Sequence, residues 1–201
     1  MWEIIEAAGW PIWPLIATSV YGFALILERA WSLRLIKIMP NGLVESVRSQ
    51  LSQGSVKKES LEKLRNDSPF GEIIYTAIKN KDSSLEVLKD SIAETSDLVA
   101  YKLERNINAL GTISTVAPLL GLFGTIVGMV ELFSSFTSSG HDVAIFARGI
   151  SVALYNTAGG IVVAVPAMIA FRFYRSKVEH FLNEMQLQTL GLIETIRGER
   201  K

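Results

Sequence analysis

Three long apolar runs dominate the pattern of hydrophobic and polar positions along the chain. Residues 7–27, 106–130 and 149–171 contain no Asp, Glu, Lys, Arg or His. Each run is about as long as the roughly 20 residues that a helix needs to cross a bilayer. Three buried core helices of a soluble domain are the alternative, but a chain of 201 residues would rarely need three such runs. The pattern predicts an all-α integral membrane protein with three transmembrane helices.

The charged residues that flank the runs predict how the chain crosses the bilayer. Lys and Arg near the ends of a span favour the cytoplasmic side. They follow the first run, precede the second and follow the third: Arg29, Arg34, Lys37, Lys102, Arg105, Arg172, Arg175 and Lys177. The segment between the second and third runs has Arg148 against Glu131 and Asp142. We therefore expect the N-terminus outside and the C-terminus in the cytoplasm.

These charges divide the chain into seven segments. We expect transmembrane helices at residues 10–28, 106–131 and 149–172, outer segments at 1–9 and 132–148, and cytoplasmic segments at 29–105 and 173–201. Glu3 and Glu6, rather than a basic stretch, precede the first run. It is therefore expected to be an uncleaved anchor and not a signal peptide.

The cytoplasmic segments are predicted to prolong the second and third spans as helices. Ser84 suits an N-cap, and neither Pro nor Gly occurs between it and Gly111. We expect one helix from about Ser84 to about Phe133, some 75 Å long at about 1.5 Å per residue. After the third span, apolar residues recur at helical spacing from Val178 to Ile196. This stripe needs a partner, either this chain's own long helix or identical helices of other subunits.

Composition argues against several classes of function. The chain has no Cys, which excludes disulfides and cysteine-rich metal sites. Its formal net charge is zero, which gives no basis for nucleic-acid binding. We find no hydrolase triad, P-loop or dinucleotide fingerprint, so we expect neither an enzyme nor a bound cofactor.

Small and hydroxyl residues share one face of the second and third spans. The second carries Gly121, Gly124, Thr125 and Gly128, and the third carries Ala153, Thr157, Gly160 and Ala164; Asn156 is a further polar residue of the third span. The two threonines could bond their own helix carbonyls while the glycines aid packing. Alternatively Thr125, Thr157 and Asn156 line an ion pathway, with the small residues as its packing strip. Because no apolar run contains Asp, Glu, Lys, Arg or His, the carboxylate of a proton path would have to come from another polypeptide.

Charged residues at both ends of the second span are candidates for the mouths of such a pathway. Glu131 follows the span and could ring the outer mouth in an oligomer. The alternative is an interfacial side chain that reaches the headgroups. Glu104 and Arg105 precede the span and could line the cytoplasmic exit, or form a solvated pair.

The ordered motifs of the chain resemble those of a known family. The stretches concerned are APLLGLFGTIVGMVELF (residues 117–133), GISVALYNTAGGIVVAVPAM (149–168) and WPIWPLIATSVYGFALILERAWSLR (10–34). They are similar to the signatures of the MotA/TolQ/ExbB proton-channel family, and the first span to its ExbB and TolQ branch. One departure is Val152, where many relatives have Glu.

The resemblance implies a homopentamer in the bacterial inner membrane, with the N-terminus in the periplasm. Its implied partners are the lipid bilayer, a single-span ExbD- or TolR-like protein with a membrane Asp, and a TonB- or TolA-like protein that receives the work. The family's polar positions fall on Thr125 and Thr157. Protons are the implied coupling ion and Na⁺ is the alternative.

Four functions are compatible with this reading. The chain is expected to be a stator subunit of an ExbB–ExbD-type motor that drives outer-membrane nutrient uptake, for example of iron siderophores. A TolQ-like role in outer-membrane integrity and division is the alternative within the family. A non-conducting membrane scaffold and an autonomous channel are the alternatives outside it.

Overall fold

A computed structural model of the chain describes residue 5 and residues 8–52, 58–139 and 143–196. Within these ranges the chain is helical and has no strand. The helices are α1 (Ile12–Ser32), α2 (Leu35–Ile38), α3 (Leu43–Ser52), α4 (Lys58–Asp67), α5 (Pro69–Lys79), α6 (Leu85–Ser139) and α7 (Val143–Ile196). The predicted all-α class is confirmed for the described part of the chain.

Three helices, α1, α6 and α7, are long and apolar enough to cross a membrane. They contain the three apolar runs of the sequence, so the prediction of three spanning helices is confirmed at that level. The residue limits of the spans, their orientation and the pentamer stay predictions.

Helix α6 begins where the sequence predicts and ends later. The Ser84 hydroxyl accepts a hydrogen bond from the Val87 backbone N–H at 3.3 Å, which caps the helix. The helix continues past the expected end at Phe133 to Ser139, because residues 129–139 contain neither Gly nor Pro. With α7 beginning at Val143, all of the expected loop 132–148 is helical except residues 140–142, which lie outside the described residues.

The chain divides into two compact units. The first, called the span unit below, comprises Met1–Glu28 and Asn106–Phe173. The second, the loop unit, comprises Arg29–Arg105 and Tyr174–Lys201. Helices α6 and α7 each contribute one part to both units.

In the span unit, α1 lies antiparallel to α6. The Trp10 ring, just before α1, meets the Phe123 ring edge-on with centroids 5.9 Å apart. Further along, Gly22 packs on Ile113, and the Glu28 carboxylate accepts a hydrogen bond from the Asn106 amide at 3.3 Å. Contacts therefore run from the start of α1 beside Phe123 to its last turns beside Asn106.

In the loop unit, the short helices share an apolar core with the first part of α6, up to Arg105, and the last part of α7, from Tyr174. Ser68 caps α5 by accepting from the Gly71 N–H at 3.0 Å. The predicted apolar stripe on α7 is buried there, including Val178, Phe181 and Met185. This chain therefore supplies the partner that the stripe needs.

Candidate functional site

The small-residue strips of α6 and α7 pack against each other within one chain, most closely at Gly121 and Gly160. A Cβ atom added to Gly121 would lie 2.8 Å from the Asn156 carbonyl oxygen and 3.2 Å from the Gly160 Cα. A Cβ added to Gly160 would lie 2.8 Å from the Ala117 carbonyl oxygen. The two helix backbones are therefore in direct contact here, which only residues without a side chain allow.

Gly124 and Gly128 continue the same antiparallel contact. A Cβ on Gly124 would overlap the Cβ and Cγ of Asn156. A Cβ on Gly128 would come within 3.1 Å of the Ala153 N and the Gly149 carbonyl oxygen. The small residues of α6 thus face those of α7 along the whole strip.

The strips are consequently covered by each other. Ala153 and Ala164 are 7% and 6% exposed, and Ala164 joins a buried cluster with Leu15 of α1 and Ala117. A helix from another protein would have to contact the remaining parts of these faces. Pore lining by the small residues stays a prediction.

Both threonines bond carbonyls of their own helices. The Thr125 hydroxyl donates to the Leu122 carbonyl oxygen at 2.6 Å, and the Thr157 hydroxyl donates to the Ala153 carbonyl oxygen at 3.2 Å. Both residues are half-buried, at the edge of the glycine contact. This is the bonding that the packing alternative expects, and the ion-pathway role of the two residues stays a prediction.

Asn156 is the most buried polar side chain of the site. It is 1% exposed, and its amide Nδ2 donates to the Ala8 and Val152 carbonyl oxygens, both at 2.8 Å. Its Oδ1 is buried without a hydrogen-bond partner among the described residues. Leaving a buried carbonyl unpaired costs about 1–3 kcal/mol, which makes this atom exceptional.

The bond from Asn156 to Ala8 is a feature that sequence reasoning missed. Ala8 is fully buried and precedes α1, and Gly9 after it has a φ of 73°. Glycine adopts this left-handed conformation without strain, which lets the chain turn between Ala8 and α1. Gly9 followed by Pro11 is a turn signal, but nothing in the sequence indicates which side chain receives the Ala8 carbonyl.

Val152 and Asn156 share one face of α7. The Val152 side chain lies 3.1 Å from the place of a Gly128 Cβ, and Asn156 faces Gly124. Val152 is 5% exposed and packs against Gly128 of α6. The ion-pathway role of Asn156 stays a prediction.

The three charged residues proposed for the mouths lie outside this interface. Glu131 and Arg105 are exposed and Glu104 is half-buried. Their assignment to the two mouths stays a prediction. In the described ranges, no group of three or more metal-ligating side chains could hold a metal ion.

Comparison with known proteins agrees with the motifs. The profile of the MotA/TolQ/ExbB proton channel family matches residues 65–187. An ExbB-like biopolymer transport protein of Synechocystis sp. is 27% identical over 82% of this chain, and this chain spans 66% of its length. Biopolymer transport protein exbB1 of Vibrio cholerae is 26% identical over 94% of this chain and 89% of its own length.

A TolQ protein is also similar to this chain. The Tol-Pal system protein TolQ of Pseudomonas aeruginosa is 25% identical over 89% of this chain and 84% of its own length. The similarity thus extends to both ExbB and TolQ proteins, and the family model covers the glycine contact between α6 and α7. With its three candidate membrane helices, this chain belongs to the MotA/TolQ/ExbB proton channel family, in its ExbB/TolQ branch.

Proposed function

We propose that the chain is the proton-channel stator subunit of an ExbB–ExbD-type motor in the bacterial inner membrane. Its N-terminus would lie in the periplasm and its C-terminus in the cytoplasm. The motor would convert proton-motive force into work on a TonB-like protein for outer-membrane nutrient uptake, for example of iron siderophores.

One observation carries the proposal. Each of two helices places a half-buried threonine, Thr125 and Thr157, beside a close-packed glycine interface. The apolar runs contain no Asp, Glu, Lys, Arg or His, so the proton-carrying carboxylate would have to come from another polypeptide. A single-span ExbD- or TolR-like partner with a membrane Asp would supply it, inside a pentamer of this chain. The exposed parts of α6 and α7 beyond the glycine strip would then receive the partner.

The direct test removes one hydroxyl group and keeps the shape of the side chain. Thr157→Val deletes the hydroxyl that donates to Ala153. The control, Thr18→Val, removes the hydroxyl of another half-buried threonine, which donates to the Pro14 carbonyl in α1 at 2.8 Å. The complex is purified with its own partner, whose identity native mass spectrometry gives, and is reconstituted into liposomes. Proton flux is measured per assembled complex with a trapped pH dye.

We expect Thr157→Val to reduce flux about tenfold or more, since losing one hydrogen bond to the moving proton raises the barrier by about 1.4 kcal/mol. Assembly should stay within about twofold of the unmodified protein, and Thr18→Val should change neither quantity. Normal flux through an assembled Thr157→Val complex would refute the ion-pathway role of Thr157. A loss of flux that only follows the yield of complex would instead favour the scaffold.

A TolQ-like role is the second candidate, and the similarity to the Pseudomonas TolQ favours it. The two roles differ in the load and not in the chain. Deleting the gene and scoring siderophore-dependent growth against detergent sensitivity separates them. Loss of growth with an intact envelope supports the uptake role, and detergent sensitivity with normal uptake supports the TolQ-like one.

A further inference from the structure

The end of α1 and the helix after it carry an apolar surface with cations beside it. Trp31, Leu35 and Ile36 are 63%, 50% and 73% exposed. The next cations along the chain, Arg34 and Lys37, are exposed as well. We call these five residues the α1–α2 patch.

The patch is held in a fixed orientation by its neighbours. Leu33 and Ile38 are 0% and 2% exposed, so both ends of the α2 segment are anchored in the loop unit. The residues between them therefore face outward. Lys37 Nζ lies 4.5 Å from the centre of the Trp31 ring, a cation–π contact that places a charge on the aromatic surface.

The position of the patch along the chain suits a membrane–water boundary. Helix α1 runs without a break from the spanning stretch to Ser32. Trp31 follows Leu27, the last residue of the first apolar run, by four residues in the sequence. Tryptophan is enriched at the membrane–water interface, because its ring is apolar and its indole N–H is polar.

The charge of residues 29–44 indicates which kind of lipid the patch would bind. Residues 29–44 include Arg29, Arg34 and Lys37 and no acidic residue. Arg29 is 8% exposed and donates to the Leu103 carbonyl oxygen at 3.0 Å, which leaves Arg34 and Lys37 as the outward cations. Two cations beside exposed apolar side chains fit an anionic phospholipid, whose phosphate would meet the charges while its acyl chains would meet Trp31 and Ile36.

We propose that the α1–α2 patch is a binding site for anionic phospholipid at the membrane surface. The site requires only that α1 spans the bilayer, and it is independent of which ion the family member conducts. It anchors the junction between α1 and α2 in the headgroup region.

The test uses Trp31 as its own reporter in the full-length protein. A variant with Trp2→Phe, Trp10→Phe and Trp13→Phe leaves Trp31 as the sole tryptophan. It is reconstituted in bilayers of equal parts phosphatidylcholine and phosphatidylglycerol, in which one or the other lipid carries bromine on its acyl chains. Bromine quenches tryptophan fluorescence on contact, so the ratio of the two quenching values reports the lipid preferred at the patch.

We expect brominated phosphatidylglycerol to quench Trp31 more strongly. The preference should fall about fivefold for each of Arg34→Gln and Lys37→Gln. The matched pair Lys79→Gln and Lys89→Gln, also exposed cations of the loop unit, should leave it unchanged. Equal quenching by both lipids would refute headgroup selection, and absence of quenching by either would show that protein covers the patch.

A second measurement avoids the tryptophan substitutions altogether. Native mass spectrometry of the unmodified protein, released from the same bilayers, counts the phosphatidylglycerol molecules retained. Arg34→Gln with Lys37→Gln should retain fewer than the Lys79 and Lys89 control pair. Equal retention in both would overturn the proposal.

Discussion

Substituting Gly124 by Ala tests whether the glycine contact between α6 and α7 determines stability. A methyl group at this position would overlap the Cβ and Cγ of Asn156. The overlapped atoms belong to the root of a side chain that is 1% exposed and bonded at its amide. They cannot swing away as the end of a flexible chain could, so either the helices separate or Asn156 gives up its position.

The magnitude follows from three terms. Overpacking a close contact costs about 1–3 kcal/mol, and the degree of overlap points to the upper end. Displacing Asn156 from the Ala8 carbonyl loses about 0.6 kcal/mol more, the average for an interhelical bond in a membrane protein. Replacing Gly by Ala within a helix returns up to about 1 kcal/mol. The net expected loss in the free energy of unfolding is about 2–3 kcal/mol.

Gly191→Ala is the matched control, because no atom of the described residues lies within 4 Å of a Cβ at this position of α7. It should gain up to about 1 kcal/mol from helix propensity alone, so the two Gly→Ala changes have opposite expected signs. Both are measured by reversible unfolding in mixed detergent micelles with increasing dodecyl sulfate, followed by circular dichroism.

A second substitution locates the clash. In an Asn156→Gly background the overlapped atoms are absent, so Gly124→Ala should be neutral or stabilising there. The resulting coupling energy between the two positions is about 3 kcal/mol. The reasoning is refuted if Gly124→Ala stabilises the protein as Gly191→Ala does, or if the coupling energy is near zero.

Two further predictions concern the loop unit. Ser68→Ala removes the cap that accepts from the Gly71 N–H and should lower the free energy of unfolding by about 1 kcal/mol. Ser46→Ala, which removes an exposed hydroxyl that donates to the Gly42 carbonyl of its own turn, should leave that free energy nearly unchanged. The Lys102 ammonium contacts both carboxylate oxygens of Glu72 at 2.9 and 2.8 Å, but the Lys102 side chain is 62% exposed. A double-mutant cycle should therefore give less than about 1 kcal/mol, falling further in high salt, and a larger salt-independent value would contradict the role of solvent screening.

The sequence predicts the helices of this chain better than their pairing. The three apolar runs, the cap at Ser84 and the stripe beginning at Val178 are local patterns, and the structure contains all of them. The sequence predicts an end at about Phe133, whereas α6 extends to Ser139, beyond the end of the predicted span. A helix responds to local propensity and does not end at such a boundary.

The site illustrates what a single sequence leaves open. Spacing indicates that Gly121, Thr125 and Gly128 share a face, but it does not indicate which face of the other helix lies opposite. The contact of Gly124 with Asn156 depends on the register of two antiparallel helices, and the bond to Ala8 depends on the turn at Gly9. Register and turn direction are set by packing between segments, which periodicity within one helix does not encode.

The hydrogen bonds of Thr125, Thr157 and Asn156 use the donor groups of these side chains and leave acceptor oxygens. The hydroxyl protons of Thr125 and Thr157 are committed to carbonyl oxygens of their own helices, and the amide protons of Asn156 to two more. What the two hydroxyls can still offer is acceptor oxygens, whereas the Asn156 Oδ1, which has no partner among the described residues, is buried. A visiting group must therefore bring its own proton or positive charge. Water, hydronium, a protonated carboxyl group and a metal cation meet that condition, whereas a bare carboxylate would find no donor on these side chains unless one of the existing bonds first broke.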